Sequence, residues 1–337
     1  MPPRQKRRPK ALRPIGDPHD PDGFGLWVRR YLEHLRVRNY SERTLQNNHS
    51  SLGLFVAWCE TRGLSRPVQV TRPLLERYQR HLYHVRKPNG QPLSFRAQHM
   101  RVVPIRGFFR WLVKQNVLLS NPASELELPR LPQRLPKDVL THREAERVLS
   151  QPDLHNPLGV RDRAILETLY STGMRRSELV HLHRHDLDIE RGTVSIREGK
   201  GKRDRMVPIG ERALAWLERY LHDVRPELAL ARDDGTLFLS SLGEGLNADW
   251  LSQKVRAYVN AADIGKSGSC HLFRHTMATL MLEGGADLRH IQEMLGHASL
   301  DSTQIYTRVS LRKLKAIHAA THPAAKLQRK RAVGDDD

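Results

Sequence analysis

Residues 193–210 read TVSIREGKGKRDRMVPIG, and this stretch differs in pattern from the sequence around it. Alternating apolar and polar residues flank a turn rich in glycine and lysine, which is typical of two short strands joined in a hairpin. The segments that follow have helical periodicity, in runs near 211–223, 247–262, 271–283, 287–296 and 302–318. The sequence therefore predicts a mainly α fold with a small antiparallel β-sheet, of the α+β class.

A separate helical module precedes the predicted hairpin. Apolar residues recur at helical spacing in four runs that start near residues 24, 41, 71 and 94. Ser41 and Thr71 are suited to cap the second and third runs. The fourth run contains Pro104 and Gly107, and we expect it to bend or break there. The pattern predicts a four-helix module over residues 23–128.

Proline and charge mark the boundaries between domains. Residues 129–138, PRLPQRLPKD, contain three prolines among basic residues and predict a linker. Residues 1–22 are basic and then rich in proline, aspartate and glycine, which predicts a disordered arm. Thr141 opens the next helix with a Thr-x-x-Glu capping box. We expect a second domain over 139–320 and a C-terminal tail over 321–337.

The net charge indicates a nucleic-acid partner. The 337 residues contain 56 lysines and arginines against 37 acidic residues, for a net charge of +19 and a pI near 10.4. Six basic residues fall in the first thirteen, so the remaining body is itself strongly basic. Such an excess is typical of nucleic-acid binding. The alternative is a soluble protein from an arginine-rich proteome.

Other classes fit the sequence poorly. The two cysteines, Cys59 and Cys270, are too few for a disulfide framework or a cysteine-based zinc site, and they fit a reducing cytosol. The chain shows no uncharged apolar run long enough for a membrane helix. Its charged N-terminus is not followed by the apolar core of a secretory signal. We expect a cytoplasmic, nucleoid-associated protein.

Six residues of the second domain form a set suited to phosphate chemistry. Two arginines can hold the oxygens of one phosphate, two histidines can donate hydrogen bonds, and a lysine can protonate a departing alkoxide. A tyrosine becomes a nucleophile where cations stabilise its phenolate. The set is Arg175, Lys200, His271, Arg274, His297 and Tyr306. Taken singly, each has an ordinary alternative: a surface ion pair, a solvated turn or a packed aromatic ring.

Four segments in this order resemble motifs of the tyrosine recombinases, the phage integrase family, and within it the Xer-like bacterial branch. YSTGMRRSEL (170–179) is similar to the first arginine motif and GKGKRDRMVPIG (199–210) to the lysine hairpin. HLFRHTMAT (271–279) is similar to the His-x-x-Arg helix. LGHASLDSTQIYTRV (295–309) is similar to the segment with the second histidine and the nucleophile. The resemblance covers the chain after about residue 23.

The resemblance implies a two-domain, C-shaped clamp around double-stranded DNA. The helical module would be a SAM-like core DNA-binding domain, and the second domain would be catalytic. The implied activity is site-specific recombination, which could serve integration, transposition or the resolution of chromosome or plasmid dimers. Two alternatives are a type IB topoisomerase-like relaxase and a non-catalytic DNA-binding protein of the same fold.

The resemblance also implies a role for each site residue. Two arginines hold the scissile phosphate, two histidines support its charge, and a lysine protonates the 5′-hydroxyl leaving group. A tyrosine forms the 3′-phosphotyrosyl bond, and a glutamate supports the first arginine. The two arginines are Arg175 and Arg274, and the two histidines are His271 and His297. The lysine is Lys200, the tyrosine is Tyr306 and the glutamate is Glu178.

We expect no metal and no cofactor. The sequence shows no compact set of carboxylates suited to two-metal chemistry. The segment HLHRHD (181–186) and the pair His271 and His275 look superficially like zinc ligands. No glutamate lies between the members of that pair, however, and Arg274 is a poor neighbour for a cation.

Two further predictions concern partners. The helices at 94–116 and 247–262 are candidates for the major groove. After the tyrosine, Leu311, Leu314 and Ile317 form one helical stripe, which would pack on its own core or on a neighbouring protomer. The resemblance favours the neighbouring protomer, in a homo-tetramer or a tetramer of paired recombinases.

Overall fold

The computed structural model describes residues 14–131, 138–197, 204–231 and 233–296. By its internal contacts the chain divides into two compact units, residues 1–133 and 134–337. Each unit has its own hydrophobic core. The mainly α class with a small antiparallel sheet is confirmed. Within the described ranges, every helix is too short or too polar to cross a membrane.

Helices α1 to α4 build the first unit around an aromatic core. Ser41 caps α2 as predicted, since its hydroxyl accepts from the Thr44 N–H at 3.3 Å. At the centre, the Phe55 ring contacts the rings of Phe24, Tyr78 and Phe109. The helices are α1 (Phe24–Val37), α2 (Glu42–Glu60), α3 (Arg72–His84) and α4 (Phe95–Lys114), with a short 3₁₀ helix at Pro67–Gln69.

The expected break in the fourth helix is wrong, because α4 runs unbroken through Pro104. Proline cannot donate to the carbonyl of Met100 four residues earlier. The Ser51 hydroxyl, from α2, donates to that carbonyl at 3.4 Å and supplies part of the missing bond. Gly107 permits close packing, since a Cβ there would lie 2.6 Å from the Tyr31 hydroxyl oxygen of α1.

The second unit begins with the predicted capping box. The Thr141 hydroxyl accepts from the Glu144 N–H at 3.3 Å, and the Glu144 carboxylate accepts from the Thr141 N–H at 2.6 Å. Its helices are α5 (His142–Leu149), α6 (Pro157–Thr172), α7 (Arg176–Val180), α8 (Glu211–Arg219), α9 (Arg225–Leu228), α10 (Ala248–Ala261), α11 (Cys270–Glu283) and α12 (Leu288–Leu295). A π-helical turn, Tyr220–Val224, joins α8 to α9.

A three-stranded antiparallel sheet lies between α7 and α8, in the order β1–β2–β3. Strands β2 (Thr193–Ile196) and β3 (Arg205–Pro208) are the predicted pair, and Ile196 faces Arg205 in their register. The short strand β1 (Leu187–Asp188) was not predicted, because two residues carry no alternating pattern. The turn that would join β2 to β3 and the predicted helix at 302–318 lie outside the described residues.

The close contact at Gly107 predicts opposite effects of alanine at two helical glycines. We expect Gly107→Ala to lower the free energy of unfolding of the first unit by about 1–2 kcal/mol, because the new methyl group overpacks against buried Tyr31.

The matched control is Gly53→Ala in α2, where a Cβ would meet Ile15 at an ordinary 3.5 Å. Gly53→Ala should raise the free energy of unfolding of the first unit by about 0.5–1 kcal/mol, since alanine has a higher helix propensity than glycine. Urea unfolding of both variants provides the measurement, and equal effects would contradict the packing at Gly107.

Candidate active site

Arg175 is placed by a tight turn at the end of α6. Gly173 ends that helix in the left-handed region, with φ 60°, and a Cβ there would lie only 2.1 Å from the Met277 terminal methyl carbon of α11. Glycine therefore serves both the turn and the close approach. Two residues later Arg175 is the N-cap residue of α7, with 17% of its side chain exposed.

Glu178 fixes Arg175 through both the main chain and the side chain. Its Oε2 accepts from the Arg175 N–H at 2.8 Å, and its Oε1 accepts from Arg175 Nη1 at 2.7 Å. Arg205 of β3 donates to the same two oxygens, at 3.1 Å from Nη1 and 2.7 Å from Nη2. The side chain of Glu178 is only 4% exposed, so one buried carboxylate joins two guanidinium groups.

Electrostatics keep Glu178 ionised. Burial by itself would raise the pKa of Glu178, but the hydrogen bonds from Arg205 and from Arg175, together with the charge of Arg205, outweigh burial and lower the pKa. The carboxylate is therefore charged at neutral pH.

Arg274 is buried on α11 and bonds to main-chain carbonyl groups. Its Nη1 donates to the Gly173 carbonyl at 2.7 Å and its Nη2 to the Leu295 carbonyl at 2.6 Å. The residue is 4% exposed. Carbonyl oxygens carry only partial charge, so these two bonds orient the guanidinium without cancelling its positive charge.

Three arginines meet at the C-terminal end of α12. The last carbonyls of a helix lack partners within the helix. Arg205 Nε donates to the Met294 carbonyl at 2.9 Å and Arg175 Nη2 to the Gly296 carbonyl at 3.1 Å. Arg274 takes the carbonyl between them, that of Leu295. We call the side chains of Arg175, Glu178, Arg205 and Arg274 the arginine cluster; with three guanidinium groups and one carboxylate, these four carry net positive charge.

His271 lies in the first turn of α11, one helical turn before Arg274, and is exposed. Partial desolvation, followed by the charges of Arg274, Arg176 and Arg175, lowers the pKa of His271. Burial lowers the pKa of His275 to about 4, with help from the neighbouring His271 and Arg274. Both imidazoles are therefore neutral at neutral pH, and His271 can donate a hydrogen bond without adding charge.

The structure thus brings together four of the predicted site residues: Arg175, Glu178, His271 and Arg274. Lys200, His297 and Tyr306 lie outside the described residues. Arg205 was missed, although one signal was available. Arg205 lies on the same face of β3 as fully buried Val207. A basic residue on the buried face of a strand indicates that it has a buried partner.

The HLHRHD segment forms a small group of possible metal ligands. Donor atoms of His183, His185 and Asp186 lie within 4.8 Å of one another. Both oxygens of Asp186 already accept hydrogen bonds, from Arg197 Nε at 2.8 Å and from the His183 N–H at 2.9 Å. His181 is bonded elsewhere, with Nδ1 2.6 Å from the Ser177 carbonyl. The nearby guanidinium makes this group a poor cation site.

The geometry of Glu178 predicts a pH-dependent loss of stability in Glu178→Gln. The folded-state pKa lies below its ordinary value of 4.5, so the ionised group stabilises the fold above that value, and the contribution is lost as the pH falls through the folded-state pKa. We expect the variant to lose about 3 kcal/mol of the free energy of unfolding of the second unit at pH 7. The loss should shrink below pH 4.5.

The control is Glu146→Gln, which removes a half-exposed partner of Arg212 and should cost less than about 1 kcal/mol. Denaturant unfolding across a pH series measures both variants. A pH-independent loss in Glu178→Gln would show that the carboxylate is not the stabilising species.

Comparison with known proteins shows the family of this chain. A profile of the phage integrase family matches residues 138–312. A relative named tyrosine recombinase XerC 2, from Ralstonia nicotianae, is 48% identical over 310 residues, which cover 92% of this chain and 89% of the relative. Tyrosine recombinase XerD of Pseudomonas aeruginosa is 35% identical, over 88% of this chain and 97% of the relative.

Solved structures show the same fold. The XerH site-specific recombinase bound to its palindromic difH substrate aligns with a TM-score of 0.64 at 22% identity, over 87% of this chain and 83% of that chain. A lambda integrase dimer bound to a core site aligns with a TM-score of 0.62 at 18% identity, over 86% of this chain and 78% of that chain. The chain belongs to the phage integrase family and is a site-specific tyrosine recombinase of the Xer type.

Proposed function

We propose that this recombinase cuts and rejoins double-stranded DNA through a 3′-phosphotyrosyl intermediate on Tyr306. The Tyr306 hydroxyl gives its proton to water, and its oxygen attacks the scissile phosphorus while the bond from phosphorus to the 5′-oxygen breaks. Lys200 gives a proton to that leaving oxygen, which departs as a 5′-hydroxyl. A 5′-hydroxyl from a second duplex then gives its proton to the neutral Lys200 amine and attacks the phosphotyrosine. This attack restores the phosphodiester and releases the Tyr306 phenolate, which takes a proton back from water.

The arginine cluster is the observation that carries the proposal. Arg175 and Arg274 are oriented by carbonyls of adjacent residues, Gly296 and Leu295, immediately before His297 in the sequence. Guanidinium groups held on a rigid main chain can stabilise charge as it develops on a phosphate without reorganising. This supports their assignment to the scissile phosphate, with His271 as an uncharged donor and His297 as a second donor.

The chemistry needs neither a metal ion nor ATP in this proposal. The arginines supply the charge stabilisation that a divalent cation would otherwise provide. The phosphotyrosine retains the energy of the broken phosphodiester, so rejoining requires no further energy source. Glu178 acts as a support that holds Arg175 rather than as a proton carrier, because its pKa lies far below neutrality.

We infer that residues 23–128 form a core DNA-binding domain and 139–320 the catalytic domain, joined by the linker at 129–138. The solvent-facing side of α4 combines basic and apolar side chains, which suits the phosphates and base edges of a major groove. Met100 and Val103 are 54% and 42% exposed there. The exposed residues of α4 are Phe95, Arg96, Met100, Val103, Arg110 and Lys114.

The same criterion supports α10 as a second major-groove candidate. Its exposed positions include Gln253, Arg256 and Asn260, all able to hydrogen-bond to base edges or phosphates. We further propose a tetramer on two duplexes, of one or two recombinases, with the stripe at Leu311, Leu314 and Ile317 docking on a neighbouring protomer. The protein would act on DNA of the nucleoid in the cytoplasm.

Tyr306→Phe tests the nucleophile directly. On a nicked suicide substrate carrying the cognate site, wild-type protein should form a covalent DNA adduct that survives a denaturing gel, and the variant should form none. The adduct should form equally well in excess EDTA. Sequencing DNA recovered with the wild-type adduct from genomic DNA identifies the cognate site for the assay.

The matched control is Tyr258→Phe, which removes a hydroxyl that donates to Asp162 at 2.6 Å in the same unit. It should retain the adduct. An adduct in Tyr306→Phe would refute the assigned nucleophile, and loss of the adduct in EDTA would refute the metal-independent reaction.

A further inference from the structure

Arg205 connects three elements of the second unit through one buried side chain. It is the first residue of β3, and its side chain is 12% exposed. Nη1 and Nη2 donate to the two carboxylate oxygens of Glu178, which follows the turn into α7. Nε donates to the Met294 carbonyl at the end of α12. All three nitrogens of this guanidinium are therefore engaged within the protein.

Arg205 holds Glu178 from a second element, β3, in addition to the two bonds that Glu178 receives from the Arg175 N–H and guanidinium. Arg205 makes a forked, two-oxygen contact, whereas the Arg175 guanidinium reaches only Oε1. A forked contact restricts both the position and the plane of the carboxylate. Without Arg205, Glu178 would keep its two bonds to Arg175 but lose the two bonds that fix it to β3, so Glu178 and Arg175 could shift together relative to that strand.

Arg205 also packs against the residue that precedes His297. A Cβ on Gly296 would lie 3.0 Å from Arg205 Nη1 and 3.1 Å from Cζ, so the guanidinium lies directly against this glycine. Gly296 has φ 59° and ends α12. Arg205 therefore contacts the end of α12 at two points, Gly296 and the Met294 carbonyl.

Arg205 lies at one end of the described β2–β3 ladder. Arg205 pairs there with Ile196, and Lys200 lies five positions before Arg205 in the sequence. At the other flank, Arg197 Nε bonds to Asp186 Oδ1 at 2.8 Å. Arg205 at the start of β3 is thus bonded to the arginine cluster, whereas Arg197 just after β2 is bonded to Asp186, just before β1.

We propose that Arg205 is a positioning residue for strand cleavage, which locks Glu178 and the end of α12 to β3 so that Arg175 and the end of α12 keep one geometry. The proposal rests on the function proposed above. The proposal assigns Arg205 to positioning and not to the phosphate, because three of its five N–H groups donate to Glu178 or to Met294.

Arg205→Met tests the proposal, since methionine keeps an unbranched chain but removes the fork. In single turnover on the suicide substrate, adduct formation should slow by about 10- to 100-fold, because small displacements of catalytic groups have effects of that order. The dissociation constant for the same DNA should change by less than about 3-fold, since the phosphate ligands remain.

A second readout separates positioning from a general loss of structure. Arg205 is a main cause of the lowered pKa of Glu178, so in Arg205→Met that pKa should rise. The acid limb of the rate against pH, and the pH dependence of unfolding without DNA, should both move to higher pH. Arg205→Lys keeps the charge but not the fork, and both readouts should fall between wild type and Arg205→Met.

The matched control is Arg225→Met. Arg225 is also buried, 3% exposed, and also forms a forked pair, with Asp233 at 2.8 Å from each Nη atom. Its loss should lower stability but leave the rate–pH profile of adduct formation in place.

Three results would overturn the proposal: cleavage by Arg205→Met within about 2-fold of wild type, an unshifted pH profile, or the same kinetic change in Arg225→Met. If Arg205→Met does not fold, wild-type behaviour of Arg205→Lys overturns it instead. If wild-type protein forms no Tyr306-dependent adduct, the proposed function fails, while the pH dependence of unfolding still decides whether Arg205 controls Glu178.

Discussion

The site depends on one constraint: the carbonyl groups at the end of α12 must be satisfied without further helix. Guanidinium groups from α11, β3 and the start of α7 satisfy three consecutive carbonyls, those of Leu295, Met294 and Gly296 respectively. The negative end of the helix dipole favours cations at this position. Elements far apart in sequence are therefore held around one point by groups that also suit phosphate chemistry.

Glu178 reduces the electrostatic repulsion between the buried guanidinium groups. Buried guanidinium groups repel one another, and one buried carboxylate bonded to two of them lowers that cost. Because the carboxylate balances only part of the charge, the arginine cluster remains positive overall. Under the proposed function a DNA phosphate would complete the balance, so the contacts that hold the arginine cluster together also suit it to a phosphate.

Local signals in the sequence predicted much of the fold. The caps at Ser41 and Thr141 and the alternation in β2 and β3 depend on neighbouring residues alone. The expected break at Pro104 was wrong because the compensating hydroxyl, Ser51, comes from another helix.

Some residues of the candidate site could likewise be predicted from local sequence, and one could not. Arg175 and Arg274 were identified from what arginines offer a phosphate and from the motifs around them. Arg205 was missed because its role depends on Glu178 and Met294, which are distant in sequence. The crystal structure of Tyr306→Phe bound to its cognate DNA tests the account most directly. It predicts Arg175 and Arg274 nitrogens about 2.7–2.9 Å from oxygens of one scissile phosphate, with their bonds to Gly296 and Leu295 retained. A scissile phosphate held by other residues, or arginines that leave the α12 carbonyls to reach it, would contradict it.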